Sequence, residues 1–134
     1  MGAGAIPVDV EAAFRQRQLK STRLEIYTAP VTYAGDDRLD LSFGSGNFVF
    51  APPRVLLFDL RLGRMSREQF QHGYDAFLRG SFAQHMYTWD QLLESVAVVL
   101  VCSCNGGEDT CHRFVMIGFL KQFGAVYRGD TAAP

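Results

Sequence analysis

At 134 residues, with 48% apolar and 20% charged side chains, the chain is long enough to bury one hydrophobic core without disulfide staples. A formal charge of −1 supplies no global attraction to nucleic acid or to an anionic membrane, and no apolar run approaches the roughly 20 residues that span a bilayer. The odd set of three cysteines suits a reduced, cytoplasmic setting better than a disulfide framework, and residues 1–21 lack the basic start and apolar stretch of a signal peptide.

Residues 1–22 are expected as an N-terminal extension. A short helix begins after Asp9 as N-cap, with Val10, Ala13, Phe14 and Leu19 on its apolar side. Residues 23–134 are expected as a single α/β domain. Arg23–Thr28 alternates as a strand and Ala29-Pro30 ends it. Arg38–Phe43 and Asn47–Phe50 alternate around Gly44-Ser45-Gly46, which predicts a β-hairpin insertion. A short helix over Val55–Leu62 should stop at Gly63. Ser66-Arg67-Glu68-Gln69 is a capping box before the stripe Phe70, Tyr74, Phe77 and Leu78, and Thr88-Trp89-Asp90-Gln91 repeats that pattern. The histidines His72 and His85 read as surface or structural groups.

Val96–Cys102 is a short, valine-rich run and reads as a strand buried on both faces. A polar loop follows, and then a helix opening at Cys111-His112-Arg113 and stopping at Gly124. Ala125–Arg128 is a last strand. Strand, helix and strand in succession imply a βαβ crossover and parallel neighbours. The expected fold is therefore α/β: a three-layer, Rossmann-like domain with a small, mostly parallel sheet and helices on both faces.

Ligands of such sheets bind beyond the carboxyl ends of the strands. There the helix start offers unpaired amides, Arg113 a full positive charge, and Asn105-Gly106-Gly107 a backbone free to turn its amides inward. Glu108 and Asp109 oppose an anion unless they point outward. Three uses of this stretch compete. Cys111 or Cys104 serves as a thiolate nucleophile with His112 as the acid–base group. Adjacent residues point about 100° apart on a helix, so His112 should pair with Cys102 or Cys104 in preference to Cys111. Alternatively, Cys102, Cys104, Cys111 and His112 form a zinc set, although C-x-C-x₆-C-H is no standard spacing. In the third use, Ser103, Asn105 and Arg113 line a noncovalent pocket and the cysteines are packing residues.

The stretch LVCSCNGGEDTCHRFVMIGFLKQFGAVYRGD resembles the C-terminal signature of domain-of-unknown-function family 488. IYTAPVTYAGDDRLDLSFGSGNFVFAPPR and RMSREQFQHGYDAFL are similar to upstream segments of its bacterial and phage-like branch. The resemblance covers roughly Arg23–Asp130. It implies a compact three-layer α/β domain and no settled activity. The matching positions are Tyr27, Thr28, Tyr33, Arg38, Asp40, Cys102, Cys104, Cys111, His112 and Arg113, and the departure lies in the acidic, proline-free loop. It also implies that Arg38 and Asp40 approach the Cys-His-Arg turn and join Tyr27 and Thr28 as ligand-binding residues. The expected function is binding of a nucleotide-like or phosphorylated small ligand at Cys102–Arg113, with chemistry through a cysteine. No cofactor is expected on that reading. The alternative is a nucleic-acid-associated or phage–host interaction module with structural or zinc-binding cysteines.

Overall fold

The computed structural model describes residues 9–42, 45–102 and 112–131. Along them run α1 (Val10–Lys20), β1 (Glu25–Pro30), β2 (Arg38–Asp40), α2 (Arg54–Arg61), α3 (Arg67–Gln84), α4 (Met86–Leu93), β3 (Ala97–Cys102), α5 (His112–Lys121) and β4 (Val126–Asp130). The strands form one four-stranded sheet in the order β2-β3-β1-β4, and every pairing in it is parallel. The fold is α/β and Rossmann-like. The valine-rich run becomes β3, an inner strand with Val98, Val99, Leu100 and Val101 all buried. Such a strand has no solvated face, which is why its sequence does not alternate.

Side chains alternate across a strand and divide the sheet into two faces. Leu24, Ile26, Val98 and Leu100 lie on the first face, in a core cluster joined by side chains from all five described helices. Ala29, Val99 and Val101 form a second cluster on the other face, packed by Tyr27 and Tyr33. Aromatic rings dominate the first cluster. Phe50 meets Trp89 at 4.7 Å between centroids, and Phe14 of α1 meets Phe123 at 4.8 Å and Phe119 at 5.4 Å. The N-terminal helix is therefore packed into the core. Arg17 of α1 lies 3.1 Å from Asp90 of α4, off the hydrogen-bonding direction, so the contact is an ion pair.

Local chemistry sets the helix ends. Asp9 caps α1 by accepting from the Ala12 amide, and the capping box before α3 forms with both of its bonds. Gly63, with φ of +73°, follows α2 as a glycine stop should. Two expectations are corrected. The Thr88–Gln91 pattern is not a cap, because α4 begins at Met86 and Trp89 sits inside it, fully buried, donating its indole N–H to Ser81. No hairpin insertion is seen among the described residues: β2 pairs in parallel with β3, and the Leu41 amide donates to the Val101 carbonyl at 2.9 Å. Residues 48–50 form a turn, held where Asn47 Oδ1 accepts from the Phe50 amide. Alternation alone does not specify a strand's partner, and β3 offered β2 a buried neighbour on which to pair.

Candidate ligand site at the carboxyl end of the sheet

Because β3 ends at Cys102 and α5 begins at His112, the two residues meet at the carboxyl end of the parallel sheet. Ser103, Cys104, Asn105 and Cys111 lie outside the described residues. The His112 ring is buried, and its Nδ1 lies 3.1 Å from the Leu41 carbonyl oxygen and 3.5 Å from Cys102 Sγ. A carbonyl can only accept, so Nδ1 carries the hydrogen and donates it to Leu41. In the neutral ring Nε2 is then the acceptor nitrogen. Phe70 and Tyr74 of α3 flank the imidazole at 5.7 and 6.3 Å between centroids. His112 thus ties the start of α5 to the residue after β2 and to the end of β3. Of the two cysteines expected beside it, Cys102 is in contact with the ring, and Cys104 lies outside the described residues.

Arg113, one residue on, reaches the next strand: its Nη1 donates to the Ala29 carbonyl of β1 at 2.9 Å. This bond holds the positive charge at the carboxyl end of β1. Thr28, the residue before, is fully buried. Its hydroxyl donates to the Asp130 carboxylate of β4 and lies 2.9 Å from the Tyr127 hydroxyl. The single Thr28 hydrogen is committed to Asp130, so Tyr127 is the donor in the second bond. Phe114 of α5 meets the Tyr127 ring edge-on at 6.3 Å, which brings this network beneath the start of α5.

The network depends on an irregularity in β4. Tyr127 and Asp130 are three residues apart and would face opposite sides of a regular strand. The β1–β4 register shifts so that Ile26 pairs with Tyr127 but Tyr27 pairs with Gly129, with Arg128 as the extra residue. Gly129 has φ of +95°, a conformation that glycine adopts without strain. The bulge returns Asp130 to the face of Tyr127 and Thr28. Neither Tyr127 nor Asp130 was singled out from sequence. The available signal was Gly129, since a glycine inside a strand pattern often marks a bulge.

The remaining candidates lie elsewhere. Tyr27 is on the second face, where its hydroxyl donates to Glu25, itself paired with Arg128 at 2.9 Å. The Arg128 bond, and then the Tyr27 bond, hold the Glu25 carboxyl below its usual range, while the same Glu25 bond raises the Tyr27 phenol. Arg38 and Asp40 pair with each other at 3.2 Å, and Arg38 also donates to the Val31 carbonyl. Residues two apart on a strand share a face, and their register with Val99 and Val101 puts both on the second face, away from His112. Burial raises the Asp40 carboxyl, but the Ser42 hydroxyl and amide and the Arg38 guanidinium outweigh it, leaving the group below the ordinary aspartate value.

Of the four zinc candidates, Cys102 and His112 are described, and among the described residues no three potential metal ligands cluster. The site thus joins a buried thiol–imidazole contact, a guanidinium at the end of β1 and a carboxylate at the end of β4. No protein family, curated protein or solved structure matches this chain.

Proposed function

We propose that the chain binds a nucleotide-like or phosphorylated small ligand at the carboxyl end of its sheet, between the end of β3 and the first turn of α5. One observation carries this reading: Arg113, in the first turn of α5, donates from its guanidinium to the Ala29 carbonyl at the end of β1. A helix start with an adjacent guanidinium favours phosphate through both dipole and charge. Chemistry on the ligand would fall to Cys104 or Cys111. Cys102 is the structural member, since its sulfur is buried against His112. The resemblance to family 488, and a cytoplasmic setting, belong to the same proposal.

Two measurements test it. Arg113→Gln should weaken binding of inorganic phosphate, read by titration calorimetry, about tenfold or more, as expected for a charge-assisted hydrogen bond. A pH profile of thiol alkylation should show one cysteine half-reacting well below the ordinary value of about 8.5. A profile at the ordinary value for every thiol removes the nucleophile and leaves only the binding role.

The zinc-binding alternative has one observation in its favour. Cys102 Sγ and His112 Nδ1 stand 3.5 Å apart, about the separation of a sulfur and a nitrogen on one tetrahedral zinc. Against it, Nδ1 is the donor to Leu41, and a nitrogen that donates a hydrogen has no lone pair for a metal. Metal analysis of the purified protein decides between them: stoichiometric zinc replaces the ligand-site reading of the cysteines.

A further inference from the structure

We infer that the cavity between α1, the end of α3 and the start of α4 binds an amphiphilic monocarboxylate, with the Arg17 guanidinium as its anchor. The inference does not rest on the site at the carboxyl end of the sheet. The cavity measures about 490 Å³, within the roughly 300–1,000 Å³ of small-molecule sites. Arg17 lines it, yet that residue is only 8% exposed. Its Nε–H is shut off from solvent and has no hydrogen-bond partner. The Asp90 contact neutralises the charge without supplying an aligned acceptor. The guanidinium as a whole forms no hydrogen bond with a described residue. Five donors in a fixed fork, buried so deeply, call for an acceptor that the protein leaves to a ligand.

Charge selects a monoanion. Lys20, one turn on from Arg17, lines the same cavity as Asp90, so the wall carries two positive charges and one negative. The ion pair of Lys20 with Glu94, at 3.7 Å, joins two largely exposed side chains and holds the ammonium weakly. One net positive charge matches one carboxylate, whereas a phosphate dianion beside Asp90 would stand in excess. The other walls are apolar: Phe82 is buried there, while Leu19 and Met86 are 87% and 44% exposed. A hydrocarbon chain covers them while the carboxylate meets the fork. Arg17 and Lys20 also border a second cavity, but that one holds Ser21, Leu93 and Glu94, where α1 and α4 end. Helix carboxyl ends repel an anion, which leaves the first cavity, at the start of α4, as the anion side.

Titration calorimetry of the full chain with octanoate, octanol and acetate tests the inference. Octanoate should bind at least about tenfold more tightly than octanol, the range of one charge-assisted hydrogen bond. It should also bind at least about tenfold more tightly than acetate, which lacks the chain. Lys20→Gln changes an exposed side chain and should lower octanoate affinity roughly two- to fivefold, leaving octanol unmoved. Leu19→Ser, also at the surface, should weaken octanoate and octanol alike. Arg17→Lys keeps the charge without the fork and should bring octanoate close to octanol. If that variant does not fold, the wild-type comparison and Lys20→Gln carry the test. No octanoate binding, equal affinity for octanol, or octanoate affinity unmoved in Lys20→Gln overturns the inference and leaves the Arg113 site standing. An acetylated peptide ending in leucine separates two sources of the carboxylate. Its free acid binding more tightly than octanoate, with its amide weaker, makes the ligand a peptide's carboxyl end, and the opposite order makes it a free acid.

Discussion

His112 shows how one side chain can hold a site together before it takes part in any chemistry. Its Nδ1 hydrogen satisfies the Leu41 carbonyl while its ring fills the space between Phe70, Tyr74 and Cys102. His112→Leu keeps an apolar side chain of comparable bulk but leaves that carbonyl without its donor. A buried acceptor stripped in this way costs about 1–3 kcal/mol, so the urea midpoint should fall accordingly with an unchanged slope. Asp40 contributes to the acid limb of the stability profile. Its carboxyl is depressed in the folded chain. Its contribution is therefore complete above the unfolded aspartate value and is lost as pH falls through the lower, folded value. Asp40→Asn should flatten stability against pH in that acid window, measured by denaturation at a series of pH values, and leave the slope above neutrality as it was.

At the scale of elements, two glycines with left-handed backbones do different work. Gly124 ends α5 at φ of +97°, and a Cβ there would lie 2.8 Å from Ser21 Oγ. Gly129 makes the β4 bulge at φ of +95° with nothing near its missing Cβ. Alanine at either position pays the left-handed penalty of roughly 1–2 kcal/mol, but only Gly124→Ala adds a close approach. The expected order of denaturation midpoints is wild type, then Gly129→Ala, then Gly124→Ala. Equal destabilisation by the two alanines would remove the Ser21 contact as a factor.

Over the molecule as a whole, α1 shares its core with the α/β unit. Phe14 is buried among Phe82, Phe119 and Phe123, Arg79 lies 4.4 Å over its ring, and Arg17 pairs with Asp90. Phe14→Ala should cost about 3–5 kcal/mol, a large part of the roughly 5–15 kcal/mol that stabilises a domain. Because Trp89 packs on Phe119 at 5.3 Å, in the same cluster, its fluorescence and the far-UV circular dichroism should report one coincident transition. A separate early transition for helix loss would mean that α1 detaches independently.

Much of the architecture was legible along the chain because it rests on local chemistry. The Ser66–Gln69 capping box, the glycine stops at Gly63 and Gly124 and the unbroken apolar run of β3 each carry their reason in neighbouring residues. What only the tertiary structure decided are the contacts between residues far apart in sequence. Asn47–Phe50 had the alternation of a strand, yet β2 paired with β3 and left that run as a turn. Thr28, Tyr127 and Asp130 meet through a one-residue slip between two parallel strands. Period-2 patterning states that a residue faces one side or the other, but which partner lies beside it, and where a bulge reverses the count, depends on backbone hydrogen bonds that no local stretch contains.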